Sequence, residues 1–178
     1  MKVIAGVLLL MTLGFSTARA AVIQAGESSF TVSHTVTTSA SVDQAWKTMI
    51  NHVNEWWHPD HSWSGNADNF YIKAELGGCF CEHLPADDKG AKGGVEHLRI
   101  IYFDPNSELR FDGSLGPLVD MPVQGRMSWK ILPEGAGTSI TFTYRVHGYM
   151  EGGFEGLAPV VDGVIGQQIQ RLQVLLDR

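Results

Sequence analysis

The chain has 178 residues, with 13 Lys and Arg against 19 Asp and Glu, for a formal net charge of −6. That length is one domain's worth and is enough to bury a sizeable core. An acidic chain with no basic cluster is a poor match for nucleic acid, so no nucleic-acid partner is expected.

The first twenty residues read as a separate element. Met1-Lys2 is a short positive start, Val3 to Phe15 is apolar and uncharged, and Ala18-Arg19-Ala20 is an A-x-A site. This is the pattern of a secretory signal peptide. Residues 1–20 are therefore expected to be signal and 21–178 a single domain, exported to a periplasm or the extracellular space. Losing Lys2 and Arg19 leaves 11 basic residues against 19 acidic ones, so the mature chain is more acidic still. No later apolar stretch is long enough for a transmembrane span after signal cleavage.

After a short polar lead, Phe30 to Thr38 alternates and is rich in β-branched residues, which predicts a strand. Ser41 with Gln44 three residues on is a capping-box pattern opening a helix over Val42 to Val53. A second short helix or turn carries Trp56-Trp57 and stops at Pro59, and a polar loop follows from His61 to Asn69. Six strands are then predicted: Phe70–Leu76, Cys79–Leu84, Val95–Phe103, Glu108–Gly113, Gly125–Leu132 and Thr138–Gly148. Gly77-Gly78, the Pro85–Gly90 turn, Asp104-Pro105-Asn106 and Gly135-Ala136-Gly137 punctuate them. Ser114 to Pro122 reads as an apolar loop or short helix, and Tyr149 to Leu157 as a glycine-rich connection.

The last segment, Pro159 to Arg178, is the longest helix signal. Val161, Ile165, Ile169, Leu172 and Leu176 recur at helical spacing on one side, with Asp162, Gln167, Gln170, Arg171 and Gln173 largely on the others. Such a stripe must lie on something, and the simplest partner is the sheet. The predicted class is α+β: a curved antiparallel sheet of about seven strands around a long C-terminal helix, with a short helix pair after the first strand.

Cys79 and Cys81 are the two cysteines. An oxidising compartment favours a disulfide. In a regular strand, however, residues two apart sit near the upper Cα limit for bridging. A strained C-x-C bridge and two free thiols both remain open.

This order of elements resembles the helix-grip fold of the START/Bet v 1-like (SRPBCC) superfamily. The branch it resembles includes polyketide cyclase/dehydrase-like and Hsp90-ATPase-activator-homology proteins. The residues that carry the resemblance are Ser39-Ala40-Ser41-Val42-Asp43-Gln44-Ala45-Trp46, then Trp56-Trp57, then Gly77-Gly78 followed by Phe80 and Glu82. It covers about Phe30 to Arg178. It implies an apolar cavity for a small hydrophobic ligand. Some members are cyclases, some bind and transfer lipids, and some are cochaperone modules. The signal peptide departs from the usual cytosolic member and argues against an Hsp90 role.

Phe70, Phe80, Phe111, Trp129, Phe142 and Tyr144 are expected to face inward with Ile72, Leu109, Met127 and Ile140. Spacing alone reads this set as a solid core. The resemblance reads Phe70, Ile72, Phe80, Leu109, Phe111, Met127, Trp129, Phe142 and Tyr144 as a ligand-binding lining, with Ile165 and Ile169 from the helix. Glu82 shares the inward face, where an apolar wall would raise its pKa and let it bind or donate to a ligand. The alternative is a glutamate in water or paired with Arg99. Cys79, Cys81 and His83 share the opposite face, and His97 is expected beside them. Thiolate and imidazole suit zinc, but the spacing is not that of a zinc site, and no metal or other cofactor is expected. His58 and His61 flank Pro59 at a tryptophan-rich stretch expected to close one end of the cavity, where they are candidate acid–base groups.

The expected function is an exported binding protein for a small apolar or aromatic ligand held between sheet and helix. One alternative is a cyclase/dehydratase-like enzyme with Glu82, His58 and His61 as catalytic residues and no metal or nucleotide. Another is a cell-envelope protein-interaction module with a filled core, its protein partner unknown.

Overall fold

A computed structural model describes residues 19–178. Of the expected signal peptide, residues 1–18 lie outside the described residues. Eight strands form one antiparallel sheet: β1 (Arg19–Ala25), β2 (Ser29–Thr38), β3 (Phe70–Ile72), β4 (Cys79–Leu84), β5 (Gly93–Asp104), β6 (Glu108–Asp112), β7 (Val123–Glu134) and β8 (Gly137–Gly148). Their order across the sheet is β1-β2-β8-β7-β6-β5-β4-β3. Between β2 and β3 lie α1 (Val42–Asn51) and α2 (Val53–Trp56), and α3 (Ala158–Leu176) closes the chain. Single 3₁₀ turns sit at Pro59–His61, Ala67–Asn69 and Gly116–Asp120. This is the expected α+β helix-grip architecture with one more strand than predicted. The extra strand is β1, which adds to the edge of β2 with Val22 opposite Val32 and a register shift between Val22 and Gln24. Its few residues carry too short a pattern to separate from a polar lead.

The inward face of β2 alternates without a break, burying Phe30, Val32, His34, Val36 and Thr38. Ser41 caps α1 with both halves of the capping box in place. The buried face of α1 is Ala45, Trp46, Met49 and Ile50, as the spacing predicts. Pro159 occupies the first turn of α3, where its missing N–H breaks no helical bond. Ile165, Ile169 and Leu172 of α3 are buried, while Val161 and Leu176 at the ends of the stripe are half-buried.

The other faces of α3 do more than meet water. Asp162 Oδ1 lies 2.8 Å from Nε2 of the buried His34. Arg171 Nε donates to the Trp56 carbonyl at 2.9 Å, and Gln173 Nε2 donates to the Thr37 carbonyl at 2.7 Å. Gly166 is required where α3 crosses β2, because a Cβ there would meet His34 Cε1 at 2.6 Å.

The middle of the grip is filled. Trp129 stacks on Phe142 with centroids 4.8 Å apart, and Trp56 packs edge-on to Trp129 at 5.5 Å. Phe80 and Phe111 complete this layer against Trp129. All five rings are fully buried. The solid-core reading holds here, and open space lies at one end of the grip.

Candidate functional site

A cavity of about 490 Å³ opens where the start of α3 leaves the sheet. Leu157, Val160, Val161, Val164 and Ile165 of α3 and its lead-in form one side. The segment Trp57–Trp63 forms the second, and Leu115–Met121 the third. His97 of β5 completes the wall. The lining is mostly aliphatic and aromatic, the composition of a small-molecule pocket, and the volume lies in the usual range.

Each wall is held by a specific device. Gln168 of α3 is fully buried, and its Oε1 accepts the His58 backbone N–H at 2.7 Å. Its Nε2 donates to the Val164 carbonyl at 3.0 Å, so one side chain ties the 57–63 segment to α3. Trp57 Nε1 donates to the His61 carbonyl at 3.3 Å, which folds the segment around Pro59. The 115–121 wall hangs on Tyr144. Its hydroxyl accepts from Leu115 N at 3.0 Å and donates to the Gly113 carbonyl at 3.4 Å. Burial holds the Tyr144 phenol well above its ordinary value, so it stays neutral.

Gly125 makes this anchor possible. A Cβ there would meet the Gly113 carbonyl oxygen at 2.2 Å and the Tyr144 hydroxyl at 2.6 Å. Gly125→Ala is therefore expected to cost about 1–3 kcal/mol through overpacking. It should also loosen the Leu115–Met121 wall, read as faster amide exchange at Leu115 than in the parent. An unchanged urea midpoint together with unchanged exchange would refute the role given to this contact.

At the cavity wall stands a buried, hydrogen-bonded carboxylate–imidazole pair. Residue pairing between β4 and β5 runs Cys79↔Arg99, Phe80↔Leu98, then Cys81↔Glu96. His97 is the extra residue of a β-bulge, and both His97 and Leu98 are buried. The bulge turns His97 inward, away from the outer face where it was expected beside the cysteines. Its Nε2 lies 3.0 Å from Glu82 Oε2. Glu82 also accepts the backbone N–H of Trp63 at 3.0 Å and of Ser64 at 2.6 Å.

Burial pushes the Glu82 carboxyl up, but hydrogen bonds from Ser64, Trp63 and His97 outweigh it and hold the group below its ordinary 4.5. This corrects the expectation of a raised pKa, which assumed an apolar surround. Burial also pushes the His97 imidazole below its ordinary 6.5, against the upward pull of Glu82. The pair at neutral pH is carboxylate and neutral imidazole. Arg99, the other expected partner of Glu82, forms a bidentate pair with Glu96 instead.

The opposite face of β4 is also redistributed. Cys79 and Cys81 are joined in a disulfide with their Cα atoms 5.5 Å apart. A regular strand would hold them about 6.7 Å apart, so the chain is pinched at this point. His83 is exposed and stacks on Tyr71 with centroids 4.5 Å apart. The thiolate–imidazole set is thereby taken apart.

Of the sequence candidates, Ile165 and His61 line the cavity, and Glu82 stands behind His97. Phe70, Phe80, Leu109, Phe111, Met127, Trp129, Phe142, Tyr144 and Ile169 are buried in the adjoining core, and Ile72 is packed against it. His58 contributes its backbone to Gln168, and its Nδ1 accepts from Asp60 N at 3.2 Å. The lining residues that sequence reasoning did not place at the cavity include His97, the 115–121 loop, Leu157, Val160 and Val164. The uninterrupted apolar character of Ser114–Pro122 was the available signal for the loop.

No family model matches the chain, and no curated protein matches it. Solved structures do share the fold. One is CalU16 from Micromonospora echinospora, with a TM-score of 0.59 and 12% identity over 90% of this chain and 84% of that one. A second is a protein of Rhizobium leguminosarum, with a TM-score of 0.57 and 16% identity over 90% and 98%. A third is DynU16, from the dynemicin biosynthetic locus, with a TM-score of 0.55 and 16% identity over 82% and 46%. At these identities the likeness is one of fold alone. With the sheet order and the long C-terminal helix, it fits the helix-grip, SRPBCC-like fold that the resemblance implied.

Proposed function

We propose that this protein is an exported binding protein for a small apolar or aromatic molecule, held in the cavity between the start of α3 and the two loops facing it. The observation that carries the reading is a roughly 490 Å³ space with mostly apolar walls and a buried histidine among them. Affinity would come chiefly from burial, at about 25 cal/mol per Å² of apolar surface. Among the described residues no helix is long and apolar enough to cross a membrane. Export rests on the A-x-A pattern ending at Ala20. The cyclase/dehydrase-like reading is second, favoured by the buried Glu82–His97 pair at the cavity wall.

The test is native mass spectrometry of protein purified from its own compartment, followed by extraction of whatever co-purifies. A mature mass starting at Ala21 with a stoichiometric small apolar molecule is the expected result. A chemically altered product would favour the enzyme. A clean unliganded mass with no shift on adding lipids and aromatics would sink the binding reading and leave the interaction module. A retained N-terminus would remove export.

A further inference from the structure

The wall of the cavity contains a ring nitrogen that no group among the described residues engages and that is not sealed from solvent. His97 is 5% exposed and lines the cavity. Its ring lies against Phe80, stacked with centroids 5.1 Å apart, and against Phe70 at 5.4 Å. With two aromatic neighbours packed on the ring, its polar contacts are made through its edge. Nε2 faces Glu82 at 3.0 Å. An ionised carboxylate can only accept, so the imidazole donates through Nε2–H. A neutral imidazole has one N–H, and Nδ1 is left as a lone-pair acceptor. Among the hydrogen bonds of the described residues, none uses Nδ1. Two other polar groups of the lining are already engaged. Ser62 Oγ donates to the Pro59 carbonyl at 2.7 Å, and His61 Nε2 is 3.0 Å from Gln167 Oε1.

We propose that His97 Nδ1 accepts a hydrogen bond from a ligand hydroxyl, so that the cavity selects apolar or aromatic molecules bearing a phenolic or enolic O–H. The inference rests on the ligand-cavity reading above. A pure hydrocarbon would cover this acceptor without pairing it, which costs free energy. A carboxylate ligand would meet Asp60 and no Lys or Arg in the lining. A weakly acidic hydroxyl is the donor that fits. If its proton crosses, it moves from oxygen to Nδ1, the O–H electron pair stays on oxygen, and the imidazolium formed sits against the Glu82 carboxylate. Glu82 is thus a positioning residue that fixes which nitrogen meets the ligand.

The probes are 2-naphthol and 2-methoxynaphthalene, which differ in the O–H. Their dissociation constants are measured on the parent and on His97→Phe, which keeps a ring between Phe70 and Phe80. The naphthol-to-ether preference of the parent should exceed that of the variant by about tenfold, the value of one hydrogen bond. Equal preferences in the two proteins overturn the proposal and leave the cavity reading standing. Neither probe binding the parent removes the cavity reading and this one with it. Should the variant fail to fold, imidazole ¹⁵N spectra of the parent decide. His97 should be a neutral Nε2–H tautomer whose Nδ1 resonance moves with naphthol and not with the ether. An Nδ1–H tautomer, or an Nδ1 unmoved by bound naphthol, overturns it.

Discussion

Glu82→Ala should cost about 3–5 kcal/mol of folding stability, because it removes three hydrogen bonds made to one buried carboxylate. The side chain is completely buried and accepts from Trp63 N, Ser64 N and His97 Nε2. Deleting it leaves three donors facing a void, each costing roughly 1–3 kcal/mol if water cannot reach it. Two of those donors fix the 62–64 loop, so the variant should also lose ordered structure at the cavity mouth. Glu82→Gln is the gentler change, but its amide nitrogen cannot accept from a backbone N–H, so one of the two loop bonds is lost. Urea unfolding of the three proteins measures the series. An alanine variant within about 1 kcal/mol of the parent would mean that water replaces the carboxylate.

The same pair makes the fold acid-sensitive. His97 binds its proton less readily in the native state than its ordinary 6.5. As the pH falls through 6.5, the unfolded chain takes up a proton that the native chain refuses, and stability drops. Glu82 in the native state also lies below its ordinary 4.5. Its contribution is complete above 4.5 and is lost as the pH falls towards its native value. Both act in the same direction and in sequence, so the parent should weaken first between neutrality and pH 5 and again below 4.5. Unfolding midpoints that stay flat from pH 7.5 to 5.5 would contradict a His97 buried in its neutral form.

What the sequence conveys follows from where the physics is local. Strand alternation in 138–148, the Ser41–Gln44 box and the apolar stripe from Ile165 to Leu172 are properties of neighbouring residues, and each reappears in the structure. Glu82 is also inward, as the parity of β4 requires. Its surroundings are not local. They come from a loop eighteen residues away and from a bulge on the next strand. Strict alternation in β5 places His97 with Glu96's neighbours by parity, and the bulge breaks that parity at His97 itself. The pairing of β4 with β5 at the pinched Cys79–Cys81 segment defines the bulge, which no single-strand pattern encodes. The position of open space is not local either. Inward-facing aromatics say that a space is lined, whereas only packing says whether Trp56 and Trp129 have already filled it.

That filling is what Trp56→Ala would undo. Trp56 is completely buried, with Trp57 at 5.7 Å, Trp129 at 5.5 Å and Phe142 at 5.8 Å between centroids, and its Nε1 donates to the Met49 carbonyl at 3.2 Å. Truncation removes an indole from the centre of the grip and strands that carbonyl. The expected loss is about 3–5 kcal/mol, the range for Trp or Phe to Ala in a core. The sheet behind it is braced by β7 and β8 pairing from Val123↔Gly148 to Glu134↔Gly137, so the hole should persist rather than collapse. Its wall would include Trp129, whose Nε1 already lacks a hydrogen-bond partner. A persistent apolar hole binds apolar probes, so indole should raise the melting temperature of the variant and leave that of the parent unmoved by this route. A small stability loss with no indole effect would mean that the neighbouring rings close over the site, and that the core is adaptable where its packing now looks fixed.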